Sequence, residues 1–145
     1  MWIEGKRHVA IDLAVFCRRL DSLVGVQVAE TIVNNVEYWL GREEAENTRK
    51  EYPQSTAQEV LNRIKETDGV SGVGIVELKF LDSGAIQFQI YNPAITATSG
   101  AGKSILISYW CGVLSYLFNT DYDAGDLLND KETNRLTCLL NPRST

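Results

Sequence analysis

The sequence predicts an α+β protein in which helices pack on a small antiparallel sheet, and three observations lead to this fold class. In the first half of the chain, apolar residues recur with the period of a helix. Residues 76–80 and 86–90 alternate apolar and polar side chains around an Asp-Ser-Gly turn, which predicts a β-hairpin. A strongly apolar helical segment and two further strand-like runs follow. This order of helices, hairpin, helix and hairpin is typical of an α+β layout.

Length and composition favour one soluble globular domain, residues 1–145. The chain has 145 residues, of which 44% are hydrophobic and 23% charged, and it contains no apparent internal repeat. The net charge of −5 argues against a nucleic-acid partner, because nucleic-acid sites are basic. The N-terminus lacks a secretory signal, and the three cysteines (Cys17, Cys111 and Cys138) lack metal or redox spacing. We therefore expect reduced, mostly buried thiols in a cytoplasmic protein.

The first predicted helix lies between Asp12 and Gly25. Asp12 suits the N-cap position because its side chain can accept a hydrogen bond from the first turn. The apolar residues that follow keep the spacing of an amphipathic helix: Leu13, Phe16, Cys17, Leu20, Leu23 and Val24. Gly25 fits the C-terminal cap.

The second predicted helix spans residues 26–50. Its inner face is expected to consist of Ala29, Ile32, Val33, Val36, Trp39 and Leu40. Gly41 lies inside this pattern. A mid-helix glycine costs about 1 kcal/mol relative to alanine, so we expect another helix to pack closely there. The polar run at residues 42–51 is expected to be a solvated extension of the helix.

A short third helix is predicted after Pro53. Residues 55–58 match a capping box with Ser55 at the N-cap. The apolar stripe consists of Val60, Leu61 and Ile64. The Asp-Gly pair at residues 68–69 is expected to end this helix.

Residues 104–118 form the most apolar stretch and predict a central helix that packs on more than one side. Their apolar side chains cover most of a helical wheel, as in a buried helix or a membrane span. The run is shorter than the roughly twenty residues that a span needs. The glycine-rich residues 99–102 are expected to form a loop before it. We therefore predict a buried helix and no membrane span.

The C-terminal part predicts two more strands, residues 122–128 and 135–140, with a connection at residues 129–132. An acidic cluster accompanies them: Asp121, Asp123, Asp126, Asp130 and Glu132. It partly matches a calcium loop, but the glycine comes one place early. Charges at a strand edge that deter aggregation explain the cluster more simply.

Residues 97–104 fit the loose phosphate-loop pattern, with alanine in the first place. In such a loop Lys103 would reach the β- and γ-phosphates, and Ser104 would hold magnesium. The strand before it alternates as in an antiparallel hairpin, whereas a phosphate loop follows a buried parallel strand. Nucleotide binding through this loop is therefore an alternative to a flexible loop with a surface lysine.

No catalytic constellation stands out, and we expect a protein without enzymatic activity. His8 is the only histidine, has no partner at metal-ligand spacing and is expected at the surface. Cys111 and Cys138 could be nucleophiles only if His8 activated them. Buried structural thiols are the better interpretation. No metal site is predicted.

An apolar pocket could lie between the central helix and the hairpin. Its candidate ligand-binding residues are Phe88, Tyr109, Trp110, Val113 and Tyr116. The alternative is that these side chains fill the core.

Several short motifs resemble the 4-vinyl reductase domain family. They comprise residues 74–78, the Tyr-Asn-Pro of residues 91–93, Tyr-x-x-Gly-Val-Leu-x-x-Leu at residues 109–117 and residues 138–140. Leu23-x-Gly25 and the long helix with Gly41 resemble the N-terminal half of the family.

The resemblance implies the α+β fold shared with haem-NO-binding-like domains and TRAPP trafficking-complex subunits. It also implies a small-molecule sensor, a link to tetrapyrrole chemistry in one group, and dimers built through helices. Many members carry three cysteines, of which only Cys138 matches. Lys103 and Asp130 stand roughly where the others would fall, so no metal site is implied for this chain.

Three functional hypotheses follow. The first is a non-enzymatic domain that binds a small apolar, aromatic or tetrapyrrole-like ligand and acts as a sensor or as an assembly or carrier factor. The second is a scaffold or assembly subunit with a filled core that forms a homodimer, or a related heterodimer, through the N-terminal helices. The third is nucleotide binding through residues 97–104.

Overall fold

The computed structural model describes the backbone of residues 2–3, 6–7, 11–71 and 74–144, and the side chains of residues 11–67 and 74–144. Two short strands, β1 (Trp2–Ile3) and β2 (Lys6–Arg7), pair with each other at the N-terminus. His8, expected at the surface, lies outside the described residues.

Four helices and a five-stranded antiparallel sheet confirm the predicted α+β class. The helices are α1 (Leu13–Val24), α2 (Val26–Glu51), α3 (Ala57–Ser71) and α4 (Gly100–Phe118). The strands are β3 (Ile75–Phe80), β4 (Ile86–Tyr91), β5 (Tyr122–Ala124), β6 (Leu128–Asp130) and β7 (Arg135–Pro142).

The sheet has the order β3-β4-β7-β5, with β6 also paired to β7, and every pairing is antiparallel. The predicted hairpin of β3 and β4 is confirmed. The register places Phe88 opposite Cys138, and the alternating burial of β4 gives the sheet one covered face. The predicted strand at 122–128 is two short strands, because Gly125 donates its N–H to Leu139 O between them and Leu127 turns inward.

The ends of α1 follow the sequence prediction. The Asp12 carboxylate accepts a hydrogen bond of 3.0 Å from Val15 N, and Gly25 has a φ of +89° that a side chain would strain. Gly25 alone separates α1 from α2, and the two helices are in contact.

Both ends of α3 and the start of α4 differ from the sequence predictions. The capping box is formed by Thr56 and Glu59, one residue later than expected, because Thr56 N donates to the Glu59 carboxylate and Glu59 N to Thr56 Oγ1. Helix α3 continues through residues 68–69 to Ser71. Helix α4 begins at Gly100, inside the expected glycine loop.

The inner face of α2 differs from the prediction. Ala29 and Val33 are buried as expected, but Ile32, Val36, Trp39 and Leu40 are 45–62% exposed. The buried positions further along the helix are Gly41 and Ala45. Small residues therefore face the protein, while the larger apolar residues face outward.

The backbones of α2 and α4 are in direct contact, as the position of Gly41 predicted. A Cβ atom on Gly41 would collide with Tyr109 O and lie 3.0 Å from Val113 N. A Cβ atom on Gly112 would collide with Tyr38 O and lie 3.0 Å from Arg42 N. The contact is reciprocal. Gly41 packs against Tyr109, three residues before Gly112, and Gly112 packs against Tyr38, three residues before Gly41.

Helix α4 is buried on several sides, as predicted. Gly112 faces α2, and Trp110 lies about 200° further round the helix because α-helical residues are spaced by about 100°. Trp110 is only 2% exposed and belongs to one buried cluster with Phe88 and Ile90 of β4 and Leu136 of β7. Helix α4 thus forms a layer between α2 and the sheet.

We predict that Gly41→Ala and Gly112→Ala each lower the free energy of unfolding by about 1–3 kcal/mol or more, since the added methyl group overlaps backbone. In an open helix the same change would stabilise by about 1 kcal/mol. Urea unfolding measures both variants, and the exposed Asn47→Ala on α2 is the control. A gain in stability in either glycine variant would contradict the contact.

Candidate functional site: the uncovered face of α2 and its surroundings

Exposed apolar side chains occur on both α1 and α2. We define the α1–α2 face by seven side chains that are 45–80% exposed: Phe16, Leu23, Val28, Ile32, Val36, Trp39 and Leu40. On α2 they recur every three or four residues and so form one stripe. A contiguous exposed apolar surface on a folded domain marks an interaction site more often than a single exposed leucine does.

The α2 part of this face is almost free of charge. Between Val26 and Gly41 the only charged residues are Glu30 and Glu37, and lysine and arginine do not occur. The charged run begins at Arg42. Depletion of charge distinguishes the buried centre of a protein interface from an ordinary wet surface.

Two exposed polar side chains of α2 are satisfied by their own helix. Thr31 Oγ1 donates to Gln27 O at 3.0 Å, and Asn35 Nδ2 donates to Thr31 O at 3.1 Å. Such groups retain these hydrogen bonds when a partner covers the helix, so covering them costs less than burying unpaired donors.

The sequence Tyr-Trp-x-Gly occurs twice, at residues 38–41 and 109–112, although no repeat was apparent from the sequence. Its two copies make the reciprocal glycine contact of α2 and α4. In both, the Tyr and Trp rings meet edge to face, with centroids 5.6 Å apart in α2 and 5.4 Å in α4. Trp110 is 2% exposed beneath the sheet, whereas its counterpart Trp39 is 62% exposed.

A polar network joins α2 and α4 to the segment after α4. Tyr38 Oη donates to Asp121 Oδ1 at 2.7 Å, and buried Ser115 donates to the same oxygen at 2.7 Å. The Arg42 guanidinium donates to Ser115 Oγ at 2.8 Å and lies 5.5 Å from the centre of the Trp39 ring. The hydrogen bonds from Ser115 and then Tyr38 hold the pKa of Asp121 below its ordinary value.

The five candidate ligand-binding residues occupy two kinds of environment. Phe88, Trp110 and Val113 are buried in the core cluster, and Tyr109 and Tyr116 are half-buried. None of the five lines either of the two clefts described below. A ligand pocket formed by these residues stays a prediction.

The loop proposed to hold phosphate has different partners in the structure. Gly100 N donates to the Glu30 carboxylate at 3.1 Å, and Ala101 N donates to Asp21 at 3.0 Å. Lys103 Nζ lies 3.8 Å from Glu30. Strand β4 before the loop is antiparallel to both neighbours. Because carboxylates already occupy the first amides of α4, this geometry does not favour a nucleotide.

The three cysteines are free and buried, as predicted. Burial raises the pKa of Cys111 to about 12 and raises the pKa of Cys138 and of Cys17. Thiols that hold their protons so firmly are poor nucleophiles at neutral pH. Within residues 11–67 and 74–144, no three His, Cys, Asp or Glu side chains are grouped as a metal would require.

The acidic residues of the C-terminal part have separate partners. Asp123 bonds Arg143 at 2.6 Å, and Asp130 lies 3.8 Å from Arg135. This arrangement does not bring them together as the ligands of one calcium ion.

No protein-family model matches this chain. None of the helices in the described part combines the length and the hydropathy that crossing a bilayer requires. The resemblance to the 4-vinyl reductase domain family stays a prediction.

We predict that Ser115→Ala raises the pKa of Asp121 toward its ordinary value, because the variant lacks the hydroxyl that stabilises the carboxylate. Since the pKa of Asp121 is lowered by folding, its ionised form stabilises the protein above the ordinary aspartate range, and this contribution is lost as the pH falls through the lowered pKa. The variant should therefore lose less stability on acidification.

An NMR titration of the aspartate carboxyl carbons measures the change. Asp130 is the internal control, because hydrogen bonds from Thr133 and Glu132 lower its pKa independently of Ser115. An unchanged pKa of Asp121 in the variant would show that Ser115 does not stabilise the carboxylate.

Proposed function

We propose that this domain forms a homodimer through the α1–α2 face and serves as a scaffold or assembly subunit. The observation that carries the proposal is the contrast between two equivalent tryptophans. The sheet covers Trp110 on the outer side of α4, whereas Trp39 on the outer side of α2 is 62% exposed, with the Arg42 guanidinium over its ring. A partner packed on α2 would cover Trp39 as the sheet covers Trp110.

A second copy of the chain is the partner that fits best. In a two-fold dimer the same surface meets itself, so the surface must be self-complementary. An apolar stripe without lysine or arginine meets this condition, since it brings few like charges together. Tryptophan and arginine are common among the residues that contribute most of the binding energy of an interface. Trp39, with the Arg42 guanidinium over its ring, therefore suits the centre of the dimer interface.

The resemblance to a family with helix-mediated dimers supports the same partner. It also allows a related chain in place of the identical one. The experiment below separates the two, because a heterodimer would leave the isolated chain monomeric.

We predict that the chain sediments as a dimer and that Val36→Glu makes it monomeric without unfolding it. Val36 is 54% exposed, so the monomer tolerates the change, whereas burial of a carboxylate in the interface costs several kcal/mol. Analytical ultracentrifugation at micromolar concentration gives the mass, and circular dichroism reports the fold.

Gln58→Glu, an exposed substitution of the same charge on α3, should leave the dimer intact. If the unaltered chain remains monomeric up to about 100 µM, its self-association is weaker than about 5.5 kcal/mol and the homodimer is wrong.

Binding of a small apolar or aromatic ligand is the second candidate function, and the smaller of two clefts favours it. This cleft has a volume of about 340 Å³ and lies between α1 and the segment before α4. Its apolar lining includes Ala14, Cys17, Ile95 and Ala97. The volume is within the range of small-molecule sites.

If this cleft binds a ligand, Ala97→Phe should fill it and abolish stabilisation by that ligand. A thermal-shift screen of aromatic and aliphatic compounds measures the effect, because a ligand bound only to the folded state raises the melting temperature. Asn47→Phe, an exposed change outside both clefts, is the control. An unaltered protein that no compound in the screen stabilises would remove this candidate.

A further inference from the structure

A second, larger cleft lies on the flank of α2, beside the α1–α2 face. Its volume is about 910 Å³. Helix α2 forms one wall, α4 the floor, and the segment from Asp121 to Ala124 with Arg143 the other wall. We call it the α2–β5 cleft. It occupies a different side of α2 from the apolar stripe, and only Trp39 borders both.

Each charged group of the α2–β5 cleft already has a partner within the protein. Lys103 lies 3.8 Å from Glu30 at one end, and Arg143 binds Asp123 at 2.6 Å. Asp121 accepts hydrogen bonds from Tyr38 and Ser115. Ser115 Oγ in turn accepts one from Arg42. A charged ligand would have to break one of these pairs before it gained a contact.

Uncharged hydrogen-bonding groups are available between these pairs. Within the described residues, the Gln27 side-chain amide and Asn34 Nδ2 have no protein partner. Ser108 Oγ lies 2.6 Å from Asn34 Oδ1, which holds this amide in place. The helix wall therefore presents a fixed amide group to the cleft.

Aromatic rings complete the lining. Tyr38 and Tyr122 are half-buried, and Trp39 is exposed at the rim. The floor consists mainly of small or short side chains of α4 (Ser104, Ser108 and Cys111), which leaves the volume open. Oriented polar groups beside aromatic surface suit a ligand with hydroxyl edges and C–H faces.

We propose that the α2–β5 cleft binds a neutral, hydroxyl-rich small molecule of the size of a mono- or disaccharide. Hydroxyl groups both donate and accept, so they match a lining that mixes amides, carboxylates and hydroxyls. An apolar ligand would leave the Gln27 and Asn34 amides without partners, at a cost of about 1–3 kcal/mol each. The inference does not depend on the dimer.

Three probes of one shape and different charge test the proposal: glucose, glucose 6-phosphate and glucosamine, with maltose as a larger neutral probe. The protein is titrated with each, and amide shifts in a two-dimensional NMR spectrum report the site. We expect glucose or maltose to bind with a dissociation constant of about 1 mM or tighter. The shifts should map to residues 27–38, 103–111 and 121–124.

Asn34→Leu should weaken the binding of the neutral probe at least about tenfold, because it removes the amide that would hydrogen-bond a sugar hydroxyl. Asn47→Leu makes the same change at an exposed position of α2 outside the cleft and should not alter binding. Three results would overturn the proposal: tighter binding of a charged probe, shifts outside the cleft, or absence of binding by both neutral sugars at about 10 mM.

Discussion

The contact between the backbones of α2 and α4 determines what else the structure can do. Two helices that touch at Gly41 and Gly112 leave no room for large side chains along their seam. The α4 side of the seam therefore carries Ala101, Ser104, Ser108 and Ser115. The serine hydroxyls are satisfied across or beside the seam, as Ser104 donates to Glu30 O at 2.8 Å. Close packing and internal hydrogen bonding thus support each other.

The same contact explains why a phosphate-loop-like sequence serves as a helix start. Because α1 and α2 are held against α4, Asp21 and Glu30 reach the N-terminal amides of α4. These carboxylates satisfy donors that the helix cannot, and they complement the positive end of its dipole. A Cβ atom on Gly100 would lie 2.6 Å from the Asp21 carboxylate, so the glycine makes room for this cap.

Elements with a local sequence signal were predicted well. Alternation around residues 82–84 predicted the hairpin, and the apolar character of α4 predicted burial on several sides. The inner face of α2 could not be predicted in the same way, because a helical wheel equates hydrophobicity with burial. Here the close contact requires Gly41 and Ala45 inside and leaves Val36 and Trp39 outside. The repeated Tyr-Trp-x-Gly sequence could have indicated this arrangement. The clefts could not be predicted, because residues far apart in the sequence form their walls.

The uncovered sides of α2 differ in chemistry, so the same kind of partner would not suit both. The stripe from Val28 to Leu40 is apolar, and water leaves it at little cost when a partner covers it. The side around Asn34 is polar and hydrogen-bonded to α4, so covering it with an apolar partner would leave donors unpaired. One helix can therefore offer a protein interface and a polar small-molecule site at the same time. Trp39, at the border of both, is the residue through which occupancy of one would affect the other.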